Sequence, residues 1–112
     1  MDVSSVDQKN YQRCAWRLRI RGGMEEEYER RHQELWPELR TAIYEQGRRN
    51  FTIFRDGQDV FLYAEIETNA ILSTETEEIL ARWKVYMSDV ILTTSPLEDQ
   101  QPHYLKEIFH MD

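Results

Sequence analysis

The sequence predicts an α+β fold in which an antiparallel four-stranded sheet carries two helices on one face. Three observations predict it. Residues 12–20, QRCAWRLRI, alternate strictly between apolar and basic side chains, the period of a strand with one buried face. Residues 24–46 place Met24, Tyr28, Leu35, Leu39 and Ala42 at helical spacing, which is the stripe of an amphipathic helix. Asp56-Gly57 separates two runs rich in β-branched and aromatic residues, a hairpin signal.

Taken in order, the first strand points Cys14, Trp16, Leu18 and Ile20 one way and Arg13, Arg17 and Arg19 the other. Arg21-Gly22-Gly23 is a turn and a break. Glu25, Glu26 and Glu27 follow, where the positive end of a helix dipole favours acids. Pro37 lies inside this helix. A proline removes a backbone donor and pushes the residue before it out of helical angles, so a kink or a fresh start is expected at Trp36-Pro37. Gly47 is placed as a C-cap. Residues 51–54 read as a short strand. Residues 60–67 read as another, with Val60, Leu62, Ala64 and Ile66 opposite Phe61, Tyr63, Glu65 and Glu67. Residues 69–76 form a loop with Ser73 and Thr74 as helix caps. Residues 75–90 form the second helix, with Ile79, Trp83, Tyr86 or Met87, and Val90 on one stripe. Residues 93–103 read as a polar, proline-bearing loop. Residues 104–111 alternate again and read as the last strand. The order β-α-β-β-α-β is that of the ferredoxin-like split βαβ arrangement. Its bare sheet face keeps aromatics such as Phe61 and Tyr63, which predicts a homodimer that covers them.

At 112 residues the chain reads as one domain over 11–112 behind a flexible leader, 1–10. Apolar residues make up 40% and charged residues 31%, enough for a core and too little imbalance for a disordered chain. A net charge of -7 argues against nucleic acid and anionic membrane as partners and for a small molecule or a protein. The single cysteine, Cys14, forms no internal disulfide and reads as a small apolar strand residue in a reducing, cytoplasmic setting. No apolar run reaches the roughly 18 residues of a membrane span.

There is no Gly-rich phosphate loop, no metal-spaced Cys/His cluster and no serine nucleophile elbow. His103 and His110 have no ligand spacing with His32, so neither metal nor cofactor is expected. The remaining candidates are His32, Tyr28 one turn before it, and the aromatics Phe51, Trp83 and Tyr86. A histidine on an apolar helix face is, in the bland reading, a satisfied core residue, and Trp83 is core packing. Tyr28 beside His32 adds a second polar group on the inward face, and both need partners. Aromatic walls with a few polar groups suit a sugar or another small polar ligand.

The run Y-x-R-R-H-x-x-x-W-P-E-L from Tyr28 to Leu39 resembles the first-helix motif of the L-rhamnose mutarotase family. The resemblance continues at Gly47–Asn50 (G-x-x-N), at residues 53–56 (I-x-x-D), at Arg82-Trp83, at residues 86–90 (Y-M-x-D-V) and at residues 105–109 (L-x-E-x-F), and so covers about residues 11–111. It implies a dimeric α+β barrel protein that interconverts the α and β anomers of a deoxysugar without a cofactor. The family's proton-donating histidine falls on His32, and its substrate-binding tyrosine of the same helix on Tyr28. A second substrate tyrosine falls on Phe51, which lacks the hydroxyl. Of a tryptophan pair, the first falls on Trp83 and the second is replaced by Lys84.

Two functions follow as expectations. The first is an aldose mutarotase acting on L-rhamnose or a related sugar, with His32 as general acid and Tyr28, Phe51, Trp83 and Lys84 against the substrate. The second is a ligand-binding or regulatory module of the same fold that does no chemistry, for which the departures at Phe51 and Lys84 speak.

Overall fold

The computed structural model describes residues 10–92 and 103–112. The expected leader and the expected loop at 93–103 lie outside these, apart from Asn10 and His103. Four strands, β1 (Tyr11–Ile20), β2 (Arg48–Asp56), β3 (Asp59–Glu67) and β4 (Ile91–Leu92), form one sheet in the order β2-β3-β1-β4. Every neighbouring pair is antiparallel. Three helices, α1 (Glu25–Gln33), α2 (Pro37–Glu45) and α3 (Thr74–Tyr86), complete the βαββαβ order, with the first helical segment split in two.

The split sits where proline chemistry puts it. Trp36 is extended, with φ -60° and ψ 134°, and Pro37 opens α2 at a position whose N–H would have no partner in any case. Of the two outcomes expected at Trp36-Pro37, the fresh start is the one observed. α2 ends at Gly47, whose φ is +94°. A Cβ there would stand 3.0 Å from the Ala70 Cβ and 3.1 Å from the Glu67 Cβ, so glycine is required both for the left-handed turn and for the close approach of β3. Ser73 caps α3 by accepting from the Thr76 N–H at 3.1 Å. The Thr76 hydroxyl in turn donates to Glu45 at 2.6 Å and ties α3 to α2.

The alternation of β1 holds: Cys14, Trp16 and Ile20 are buried beside Val60, Leu62 and Ala64 of β3, and Tyr28, Met87 and Val90 pack onto them from the helical side. Of the alternatives on the second helix stripe, Met87 is buried and Tyr86 is exposed. β3 begins after a two-residue turn at Gly57-Gln58. Gly57 has positive φ and Gln58 does not, the pattern of a type II′ hairpin.

Three expectations are corrected. β2 is longer than residues 51–54, and it carries a bulge between Arg49 and Thr52. Asn50 takes φ 51° there, a conformation asparagine tolerates, and its side chain donates to Glu65 at 2.9 Å. α3 stops at Tyr86 instead of Val90, and the chain turns directly into β4, which pairs with Arg19 and Ile20. The C-terminal segment is not the last strand. Tyr104 makes a single antiparallel bridge to Trp16, with the Leu105 N–H donating to the Ala15 carbonyl at 2.7 Å. Beyond it Arg13, on the face opposite the helices, takes Glu107 in a bidentate pair. Past the Tyr104 bridge the segment forms no ladder with β1. Ile108, Phe109 and Met111 stay 86%, 77% and 78% exposed. No helix among the described residues is long and apolar enough to cross a membrane.

Candidate functional site

A cavity of about 620 Å³ opens between the sheet and the helices. Tyr28, His32, Phe51, Trp83 and Lys84, which come from α1, β2 and α3, all line it. Each arrives by a separate local cause. Tyr28 and His32 share the inward stripe of α1, four residues apart. Trp83 comes from the inward stripe of α3. Phe51 faces inward because of the bulge. In a regular strand residues 48 and 51 would face opposite sides, but one extra residue turns both Arg48 and Phe51 toward the helices. Lys84 is exposed and stands at the rim.

His32 is fixed on three sides. Its Nδ1 lies 2.9 Å from the Tyr28 carbonyl oxygen. A carbonyl only accepts, so Nδ1 carries the hydrogen and Nε2 is the nitrogen left for chemistry. The Tyr28 ring lies 4.4 Å from the imidazole, and the Trp83 ring meets it edge-on at 5.4 Å. Burial pulls the imidazolium below its ordinary pKa, and the carbonyl bond opposes this only in part. Tyr28 is almost completely buried, and burial raises its phenol far above the ordinary range, so it stays a neutral hydrogen-bond donor. Trp83 is held by Trp36 at 5.2 Å, edge-on, and by Tyr86 at 5.6 Å.

The sheet wall is a second aromatic surface. Phe51 stacks on Trp16 with ring centroids 5.9 Å apart and planes at 24°, and Tyr104 closes on Trp16 edge-on at 5.6 Å. The Arg48 guanidinium lies over both, 4.9 Å from the Trp16 ring and 5.2 Å from the Phe51 ring. Trp16 was placed by its alternation in the core, and its role as a cavity wall carried no sequence signal. Arg48 carried none either, because a bulge breaks the period that would have pointed it inward.

Arg31 is the other residue that the pattern hid. It is a buried arginine on α1. Its Nε donates to Glu27 at 2.7 Å, and its Nη1 donates to the Tyr86 carbonyl at 2.7 Å and to Asp89 at 2.9 Å. Its guanidinium also covers the Tyr86 ring at 4.4 Å. This one side chain joins the helix that carries His32 to the end of the helix that carries Trp83. Asp89 lies 58 positions away, and no periodicity links the two.

The comparisons with known proteins agree with one another. A family model described as L-rhamnose mutarotase matches residues 13–111. An L-rhamnose mutarotase of Lachnoclostridium phytofermentans is 38% identical over 103 residues, covering 89% of this chain and 98% of that protein. One from Listeria monocytogenes is 38% identical over 92 residues, covering 80% of this chain and 88% of its own length. The crystal structure of an L-rhamnose mutarotase from Formosa agariphila superposes with a TM-score of 0.71 at 27% identity, over 90% of this chain and 99% of that one.

Proposed function

This chain belongs to the L-rhamnose mutarotase family, and on that premise we propose that it interconverts the α and β anomers of L-rhamnose or a closely related sugar, with His32 carrying the proton. The observation that carries this reading is the His32 imidazole, held by one nitrogen on the Tyr28 carbonyl and facing a sugar-sized, aromatic-walled cavity with the other.

Mutarotation needs little else. A proton goes to the ring oxygen as its bond to the anomeric carbon breaks, and another leaves the anomeric hydroxyl. The open-chain aldehyde turns about its C1–C2 bond. The ring hydroxyl then closes on the other face, and both protons return. The atoms balance without a further reactant. Burial makes the His32 imidazolium a stronger acid than usual, which lowers the cost of protonating a weakly basic ring oxygen. Tyr28 donates to a sugar hydroxyl, and Trp83 stacks on an apolar sugar face. Phe51 offers the same kind of wall without a hydroxyl, and Lys84 reaches the substrate from the rim.

The pH dependence tests the proton's direction. General-acid catalysis needs the imidazolium, so kcat/KM should be highest below the lowered His32 pKa and fall about tenfold per pH unit above it. Polarimetry on freshly dissolved crystalline L-rhamnose, with the buffer rate subtracted, measures this. A profile that instead falls as pH drops through the lowered His32 pKa gives His32 the base role.

The same reading includes a homodimer and a cytoplasmic setting, the latter in keeping with a buried free thiol at Cys14. Phe54 and Phe61 of the sheet are exposed, and so are the apolar residues of the C-terminal segment. A second copy covering them removes a large apolar patch from water. Light scattering at micromolar concentration should give twice the 13.6 kDa chain mass, and the monomer mass alone would end this part of the proposal.

A further inference from the structure

Arg17, Arg21 and Arg40 stand exposed to water without a carboxylate partner among the described residues, but Arg48 is withdrawn from water and lacks one too. The protein has 21 acidic residues against 14 Lys and Arg, and others of its arginines find carboxylates: Arg13 pairs with Glu107, Arg19 with Asp59, Arg30 with Glu27, Arg31 with Asp89. Arg48 pairs with no carboxylate among the described residues. Its Nε is fully buried with no hydrogen-bond partner, and so is the Oε1 of Gln46, on the other side of Gly47. Folded proteins leave few such atoms, and each calls for a partner. Both residues line the cavity.

The rest of the lining points the same way. Arg40 and Arg48 contribute to it, while none of the described lining residues is an aspartate or glutamate. In a chain of net charge -7 this described lining is locally cationic. Lying over two aromatic rings, the Arg48 guanidinium has lost water without gaining an anion among the described residues. Burial accordingly pulls its pKa below the ordinary value, though an arginine stays charged.

We propose that the substrate is an aldose that bears a carboxylate, and that Arg48 is the specificity-determining residue that grips it. The proposal rests on the mutarotase reading and names its substrate class. A planar guanidinium presents paired donors that match the two oxygens of a carboxylate, which a methyl or hydroxymethyl group at the same carbon leaves unused. In a hexuronate the carboxylate is attached to C5, and C5 and C1 flank the ring oxygen. A carboxylate held at the sheet wall therefore presents the ring oxygen and C1 to the helix wall, where His32 and Trp83 stand.

The experiment compares two sugars that share every ring stereocentre. L-rhamnose carries a methyl at C5, and L-mannuronate carries a carboxylate in its place. Anomer exchange is followed by NMR saturation transfer. For the wild-type protein, kcat/KM for L-mannuronate should exceed that for L-rhamnose by about tenfold or more, as a charge-assisted pair provides. Arg48→Met, which keeps an apolar chain over Trp16 and Phe51, should raise the KM for L-mannuronate by about tenfold or more and shift the preference toward L-rhamnose. Arg48→Lys should recover only part of it. L-rhamnose handled as well as or better than L-mannuronate by the wild type overturns the proposal, with the mutarotase reading left standing. A loss in Arg48→Met that is equal for both sugars also overturns it, since that is a structural role. Should the variants fail to fold, the wild-type comparison decides alone. Exchange of neither sugar above the buffer rate removes the mutarotase reading itself.

Discussion

His32→Ala is expected to slow anomer interconversion by about 100-fold or more while the fold persists, the effect of losing a general acid. The two halves of this result come from different features. The imidazole is the one titrating group near neutral pH on the helix wall of the cavity, and its Nε2 is the nitrogen open to a substrate. Its structural attachment, by contrast, is local. The Nδ1 bond runs four residues back along its own helix, and the ring is only half-buried. Truncation should therefore cost about 1 kcal/mol of stability and leave the circular dichroism spectrum unchanged. On the proposed reading the loss should fall on kcat, since the sugar contacts assigned to Tyr28 and Trp83 are unchanged in this variant. His32→Ala that folds and retains wild-type rates makes His32 a packing residue.

Arg31→Ala should lower stability by about 2–3 kcal/mol, or about 10–15 °C in melting temperature. The guanidinium is nearly buried, satisfies a main-chain carbonyl and two carboxylates, and fills the space over Tyr86. Asp89 is 63% exposed and rehydrates when its partner goes, which holds the cost below that of a fully buried pair. Arg31→Lys should recover little, because an ammonium cannot reproduce the fork that reaches Glu27, Tyr86 and Asp89 together. The acid limb provides a second readout. Arg30 and then Arg31 pull Glu27 from 4.5 down to about 2, and Arg31 pulls Asp89 below its ordinary value. Groups with lowered pKa contribute stability above their unfolded values and lose it as pH falls toward the folded ones. The wild-type decline between about pH 4.5 and 2 should thus be shallower in Arg31→Ala. Calorimetry and acid titration measure both effects, and a melting temperature within 2 °C of wild type would show the network to be decoration.

Much of this could be read before any coordinates. Strict alternation in residues 12–20 fixed which face of β1 is buried, and Pro37 marked the point where one helix becomes two. Tyr28 and His32 were brought together by nothing more than helical spacing, and Phe51, Trp83 and Lys84 were carried to the same cavity by motif resemblance. What stayed hidden has physical reasons. A bulge at Asn50 defeats period-2 reading, so Arg48 passed unremarked on its way into the cavity. A charged residue on a helix reads as solvated, and only the three-dimensional approach of Asp89 shows Arg31 to be buried. The alternation of residues 104–111 is genuine, but periodicity alone does not make a strand, and the segment pairs with β1 only through the Tyr104 bridge.

The central claim, that this chain catalyses anomer interconversion, is tested most directly at equilibrium. L-rhamnose in solution already holds both anomers, so no net reaction obscures the measurement. Saturating the H1 signal of one anomer while watching the other reports the exchange rate alone. With micromolar wild-type protein, transfer between the two signals should appear and grow in proportion to protein concentration, at a pH where buffer alone shows none. Transfer that stays at the buffer rate as the protein concentration rises would contradict it.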